Sequence, residues 1–364
     1  MFLAWKEIKH AKTRFSLIVG VLVLVSYLVY FLTGLAFGLA QDNRTSVDKW
    51  EAQAIVLADE ANSNINMSMM PQGLINDIEA DEIAVLGQTA SVVSRDNQTE
   101  AEQEENKISV TFFGIDSEQF IAPNIVEGEM FQEDFQVVAD ISIHEEFGIE
   151  IGDVLNLAGN DEQVEVVGFT DNAKFNVAPV LYTTISTYQD VRFEAIDDSD
   201  EGRVSAFIIR DDDLDSVELD NEDLELSTIS EYIEEIPGYT AQVLTFGLMI
   251  IFLIIIAAVV IGIFMYVLTV QKSSMFGVMK AQGISTKYIA TSVVSQTFIL
   301  SVIGVAIGLV LTMGTAMVLP STVPFAFNMY FILIITVLIV LFALLGAFFS
   351  VRTVAKIDPL EAIG

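Results

Sequence analysis

Four long apolar stretches stand out along the chain, at about Leu17–Leu39, Phe246–Val270, Tyr288–Leu319 and Met329–Val351, and none contains a charged residue. Each is longer than the roughly 20 residues with which an α-helix crosses a ~30 Å hydrocarbon layer. A soluble helix of that length keeps a polar face and these have none, so the pattern predicts four membrane spans. The first span follows a basic start and offers small residues in GLAFGLAQ, as a secretory signal does. Its apolar run exceeds the usual length of about 7–15 residues, which predicts a retained helix.

Between the first two spans the period changes. The runs QAIVLA, KISVTFFGI, FQVVADISI, DVLNLA, QVEVVGFT, VLYTTIS and VSAFIIR are rich in Val, Ile, Phe and Thr, and Gly or Asp/Asn clusters separate them. They predict strands. Asp42 to Trp50 and the stretch after Asp215 read as helical, and SRDNQTEAEQEENK as an exposed loop. A segment of about 200 residues is too long for a linker and predicts one or two folded lobes.

Charge sharpens this division. The chain has 364 residues, 52% of them hydrophobic, yet its formal net charge is −33. Residues 40–245 hold 47 of the 50 acids and 8 of the 17 bases, a net of −39, and the remainder is basic at +6. Lys6, Lys9, Lys12 and Arg14 precede the first span, Lys272, Lys280 and Lys287 lie between the second and third, and Arg352 and Lys356 follow the fourth. The positive-inside rule then puts both termini and the 271–287 loop in the cytoplasm and the acidic block outside. The expected fold class is a membrane protein with four transmembrane α-helices and a large α+β extracellular domain inserted between helices 1 and 2. Its segments are residues 1–40 (cytoplasmic N-terminus and helix 1), 41–243 (acidic extracellular domain), 244–270 (helix 2) and 271–287 (cytoplasmic loop). Residues 288–319 form helix 3, 320–328 a short outer loop, 329–351 helix 4 and 352–364 a cytoplasmic tail. The expected location is the plasma membrane, with the chain crossing it several times.

The same inventory excludes several chemistries. Seventeen bases spread in this way do not make a phosphate-binding surface, so no nucleic-acid partner is expected. Cysteine is absent, which removes disulfides and thiolate metal sites. The histidines are His10 and His144, too few for a His-rich metal site or a convincing Ser-His-Asp relay. The acidic runs at 211–215 and 197–201 lack the spacing and glycine of a calcium loop and read as solvated faces. The sequons at Asn43-Arg44-Thr45 and Asn97-Gln98-Thr99 carry no weight. There is no GxxxxGK[ST] loop, so ATP, if used, is bound by another subunit. The expectation is a non-enzymatic chain with no intrinsic cofactor and no metal site.

The loop VQKSSMFGVMKAQGISTKYIATS places Met275, Val278, Met279 and Ala281 at helical spacing, with Gly283 as a stop and a new helix from near Ser285. A short amphipathic segment suits either partner docking or simple anchoring at the membrane surface. This loop resembles the coupling segment of the MacB/FtsX/LolC-type ABC transporter permeases, with a basic–glycine–hydrophobic–Lys-Ala-x-Gly pattern. The tail from Arg352 to Ala362, with Asp358-Pro359-Leu360-Glu361-Ala362, resembles that family's Pro-x-Glu-Ala ending. FGIEIGDVLNLAGNDEQVEVVGFT resembles its Gly-Asp turn and VVG strand, and the order of one span, an outside domain and three spans is also the family's. The opening MFLAWKEIKHAKTRFSLIVG, with IPGYTAQVLTFGLMIIFLI and YVLTVQKSSMFGVMKAQG, is similar to the haem-efflux permeases of Gram-positive bacteria, the HrtB-type subgroup.

That resemblance implies a permease homodimer in the membrane lipid with two copies of a cytoplasmic ATPase that holds ATP and Mg. It further implies coupling through Lys272, Met275, Phe276, Gly277, Lys280 and Gly283. Haem, as transported ligand, is taken laterally from the outer leaflet, held by a glutamate on iron and expelled on closure. With no His or Cys near the spans, the ligand candidates are Glu231, Glu234, Glu235, Tyr232 and Tyr239 in SEYIEEIPGY. Glu231 lies three and four residues from Glu234 and Glu235, so on a helix the three carboxylates share a broad face with Tyr232 beside them, before Pro237-Gly238 breaks it. Glu231 stands slightly ahead of the others. Tyr27, Tyr30, Phe246 and Met249 are candidates for an apolar wall. Gly34 and Gly38 offer a small-residue pair for close helix approach, and Met313 and Met317 read as core filler. The alternatives are a permease for another amphiphile (a lipid, peptide or drug) and an FtsX-like transmitter that controls a cell-wall hydrolase.

Overall fold

The computed structural model describes residues 12–96, 106–159, 162–320 and 322–356. Lys6, Lys9, His10, the sequon at 97–99 and residues 358–362 of the tail motif lie outside the described residues. The helices are α1 (Lys12–Asp42), α2 (Thr45–Asp48), α3 (Ser142–Phe147), α4 (Ile185–Phe193), α5 (Ile229–Glu235), α6 (Tyr239–Gln271), α7 (Ser273–Ala281), α8 (Thr286–Ala316) and α9 (Met329–Lys356). The strands are β1 (Ala54–Ala58), β2 (Met70–Pro71), β3 (Ile78–Glu79), β4 (Glu82–Arg95), β5 (Ile108–Gly114), β6 (Glu127–Gly128), β7 (Gln136–Asp140) and β8 (Val154–Leu157). They continue as β9 (Gln163–Thr170), β10 (Lys174–Phe175), β11 (Ala178–Thr183), β12 (Arg203–Val204), β13 (Ala206–Arg210), β14 (Glu218–Leu219) and β15 (Leu224–Thr228). The chain divides into two units, Met1–Gly38 with Val243–Gly364, and Leu39–Gln242.

In the first unit α1, α6, α8 and α9 are long and apolar enough to span a membrane, so the protein has four transmembrane helices with the β-rich domain inserted between the first two. Phe15, Ile18 and Leu22 of α1 pack with Ile261 and Met265 of α6, Ile289 and Val293 of α8, and Ala343 of α9. Glycine sets the closest approaches: a Cβ on Gly304 would strike Leu22, one on Gly308 would strike Ser26, and one on Gly346 would strike the Gly262 backbone. The outward faces stay apolar, as Leu248, Phe252, Ile256 and Ile263 of α6 show by their exposure. Bare hydrocarbon is the expected solvent for such a surface.

The second unit is built on a strand ring. β5 pairs with β11, then β7, β9, β8 and β4 follow in order, and β4 pairs back onto β5. Period-2 alternation turns Ile108, Val110 and Phe112 of β5, Val164 and Val166 of β9 and Leu155 and Leu157 of β8 into one core. The opposite faces of these strands supply Phe113, Val138 and Tyr182 to a second, larger core with Trp50. β4 runs on out of the ring to pair with β13, followed by β1 and β15.

All seven strand-like runs contain strands, but β4, the longest, is not among them. Gly87 and Gln88 interrupt its apolar alternation. Gly87 is small because the Tyr188 ring of α4 lies where its Cβ would go. The stretch after Asp215 corrects the helical expectation: it forms β14 and β15 before α5 begins at Ile229. The acidic runs are used in local turns. Asp211 accepts the backbone N–H groups of Asp81 and Asp213, and Asp197 accepts that of Ser199. Among the described residues no cluster of His, Asp or Glu suits a metal ion.

Candidate functional site

The glutamate-bearing stretch forms α5, whose start is set by a capping box. Glu231 N–H donates to Thr228 Oγ1 (3.2 Å), and Thr228 donates from both its backbone N–H (3.0 Å) and its hydroxyl (2.8 Å) to Glu231 Oε2. These bonds hold the Glu231 carboxyl below its ordinary value and leave Oε1 uncommitted. Glu231, Glu234 and Glu235 are all exposed, on one side of the helix, and none of the described ion pairs includes them. Three carboxylates outside the described ion pairs thus lie within seven residues, each singly a hard anionic oxygen donor.

Tyr232 does not stand beside them. It is buried with Ile233 and Ile236 in the core that holds Trp50 and Phe113, and burial pushes its hydroxyl well above the ordinary tyrosine value. The alternation E-Y-I-E-E explains the split, since helical spacing gives the two apolar residues one side and the acids the other. Tyr239, after Gly238 in the left-handed region (φ 87°), hydrogen-bonds Arg44. Arg44 also grips Asp48 through Nε (3.0 and 3.1 Å) and Nη2 (2.5 Å). The bonds to Asp48 lead the causes that raise Arg44 above its ordinary value, against the opposing effect of burial. Asn43, the residue before it, donates from Nδ2 to Leu39 O (2.7 Å) and is itself buried.

The wall candidates belong to the other unit. Tyr27 and Tyr30 are tied by hydroxyl bonds to Thr315 (3.2 Å) and Thr336 (2.5 Å). Phe246 is half-buried and Met249 exposed on α6. Gly34 and Gly38 do permit close approach, but by a loop and not by a helix: the Phe325 ring lies over Gly34, and the Pro324 backbone lies against Gly38. Met313 on α8 and Met317 just after its end, expected in the core, are exposed, Met317 at 86%.

In the loop between α6 and α8, α7 ends where Gly283 adopts φ 87° and Ile284 N–H reaches back to Met279 O (3.0 Å). Ser285 then caps α8 by accepting from Tyr288 N–H. Phe276 and Gly277 are buried and Met279 packs on the bundle core, while Met275 and Val278 stand exposed. The amphipathic reading is thus shifted by one residue, leaving the apolar side chains of Met275 and Val278 on the exposed side. Lys272 lies over the Phe15 ring (5.3 Å).

Comparison with known proteins agrees with this architecture. Residues 247–359, covering α6 to α9, match the family described as FtsX-like permease C-terminal. The whole chain aligns with proteins named "Putative hemin transport system permease protein HrtB". It is 29% identical over 375 residues to those of two Staphylococcus epidermidis strains and 25% identical over 374 residues to that of Staphylococcus haemolyticus. Each alignment spans 100% of this chain and 99% of the relative. The chain is therefore a multi-pass membrane protein whose last three spans match the FtsX-like permease C-terminal family and whose full length is similar to proteins of the HrtB type, likenesses that point to a transport subunit rather than an enzyme.

Proposed function

We propose that the protein is the permease of an efflux pump that extracts haem from the cytoplasmic membrane and expels it, driven by ATP hydrolysis on a separate subunit. The observation that carries this reading is the end-to-end likeness to proteins named for hemin transport. In this reading two permease chains pair and two ATPase subunits dock on α7, where Met275 and Val278 are exposed. Both termini and the 271–287 loop are cytoplasmic, and residues 41–243 are outside, as the charge distribution favours. Glu231, Glu234 and Glu235 are the candidates for the iron ligand. A carboxylate is an anionic oxygen donor suited to ferric iron, and these three are not engaged by any described cation. Glu231 keeps one oxygen free even while its other oxygen caps α5.

Titration of haemin into the purified full-length protein with its ATPase partner tests the reading. The expected result is a shifted Soret band that disappears when Glu231, Glu234 and Glu235 are changed together to Ala. A shift that survives the triple change overturns the ligand assignment. Absence of haem binding, together with unaltered haem sensitivity in a deletion strain, overturns the transport reading.

A further inference from the structure

The loop that precedes α9 does not simply connect two spans. It folds back on α1, where Ala326 N–H donates to Gly34 O (3.1 Å). Phe325 places the outer edge of its ring on Gly34, in space that any Cβ would occupy. The ring is also flanked by other rings, with Phe31 of α1 at 5.6 Å and Phe327 at 4.9 Å between centroids. Phe31 in turn stacks on Tyr27 at 5.8 Å and 14°. Next to this notch a small cavity continues along α1 past Tyr30, Thr33 and Phe37 to Phe331 of α9. Phe325 is therefore a flat apolar ring seated in an aromatic niche, held by a loop and one backbone hydrogen bond, at a position where glycine keeps the helix backbone bare.

We propose that the notch over Gly34 is a subsite for the flat apolar ring of a membrane-borne amphiphile, with Phe325 as its built-in competitor, so that lifting of the 322–328 loop admits the ligand. The niche suits a planar ring because offset and edge-to-face contacts with Phe31 and Phe327 reward flatness, which an acyl chain lacks. The proposal rests on the transport reading only in taking the ring to belong to the transported molecule, and it does not depend on how any metal is ligated. Removal of the competitor raises apparent affinity by the inverse of the fraction of time for which the notch is open.

The test uses the full-length protein in lipid nanodiscs and metal-free protoporphyrin IX as probe, with haemin in a parallel series. Wild type is compared with Phe325→Ala, Gly34→Ala and the double variant. Phe325→Ala is expected to bind the porphyrin about tenfold more tightly than wild type. Gly34→Ala fills the notch and is expected to bind at least about tenfold more weakly than Phe325→Ala. The double variant has no Phe325 ring for the new methyl to strike, so it keeps the packing of Phe325→Ala, yet it is expected to stay as weak as Gly34→Ala. Recovery of the double variant to the Phe325→Ala level means that Gly34 serves only the loop, and overturns the proposal. Equal binding in all four proteins, or equal absence of binding, overturns it too. A haemin series without a Soret shift, beside the expected order for the metal-free ring, counts against the haem reading alone.

Discussion

In the membrane unit the hydroxyls of Thr33, Thr269, Thr297, Thr312 and Thr336 bond to the carbonyl four residues earlier on their own helix. In the Leu39–Gln242 unit hydroxyls reach across elements instead. Thr183 of β11 donates to Gln136 O of β7, and Tyr188 of α4 meets Ser205, which donates to Gln88 O of β4. Arg192 joins the same knot by donating to Tyr188, Ser205 and the carbonyl of Gln88. Each membrane helix thus satisfies most of its own polar groups, as hydrocarbon requires. What joins the helices is side-chain packing, helped by bonds such as Ser26 to Gly304 O, Tyr27 to Thr315 and Tyr30 to Thr336. The β domain has the opposite economy, with every central strand bonded on both sides and rings such as Trp50, Phe113 and Tyr182 almost wholly buried. Elements that are self-sufficient can shift against one another with few bonds broken, whereas a cross-linked sheet responds as one body.

Three substitutions probe this contrast, most simply in a Trp5→Phe background where Trp50 alone reports on the domain. The largest effect is expected from Phe113→Ala, because its ring meets Trp50, Phe175 and Tyr182. A cost of about 3–5 kcal/mol should lower the midpoint of the Trp50 emission change and leave the helical circular dichroism transition of the bundle in place. Gly308→Ala reverses the pattern. It presses α8 off Ser26 of α1 at a cost of about 1–3 kcal/mol, and the helical transition should fall while Trp50 emission is unmoved. A shared shift in both signals for either variant would show that the two regions melt together. The smallest effect has the opposite sign. Asn176 and Val177 form the two-residue turn between β10 and β11, both with positive φ (49° and 71°). A β-branched residue is strained there, and an Asn-Gly turn is the favoured one. Val177→Gly should raise the Trp50 midpoint by an amount equivalent to about 1 kcal/mol or less, and a lower midpoint would show that the valine side chain contributes packing.

Much of this was readable from residue pattern. The spans announce themselves because hydrocarbon tolerates no polar face, and the break at Pro237-Gly238 follows from local backbone chemistry. The cap at Ser285 and the stop at Gly283 are local in the same way. What the pattern does not carry is long-range. β4 hides because Gly87 answers to Tyr188, about a hundred residues further along the chain. The use of Gly34 depends on Phe325, and the helix-approach motif has the same sequence whether a helix or a loop comes close. For the candidate ligands, spacing put the three glutamates on one side of α5. It could not say that Tyr232 belongs to a core assembled from Trp50 and Phe113, nor that Thr228 already occupies one Glu231 oxygen.

The β10–β11 turn has one more consequence. Its backbone N–H groups at Asn176 and Val177 donate to the carbonyls of Asn43 and Asp42 (3.1 and 3.0 Å), and Lys174 pairs with Asp42 at 3.2 Å and Glu146 at 3.6 Å. Burial opposes the charge on Lys174, and its acidic neighbours, led by Asp42, outweigh that and raise it. The last carbonyl of α1, at Asp42, and that of Asn43 just beyond it are therefore completed by a segment more than a hundred residues away. Anyone who excises the acidic domain as a soluble fragment has to begin it upstream of Asp42, inside what hydropathy marks as a membrane helix. A cut placed after Asp42, where the membrane-crossing helix ends, would remove one of the two carbonyls that this turn meets.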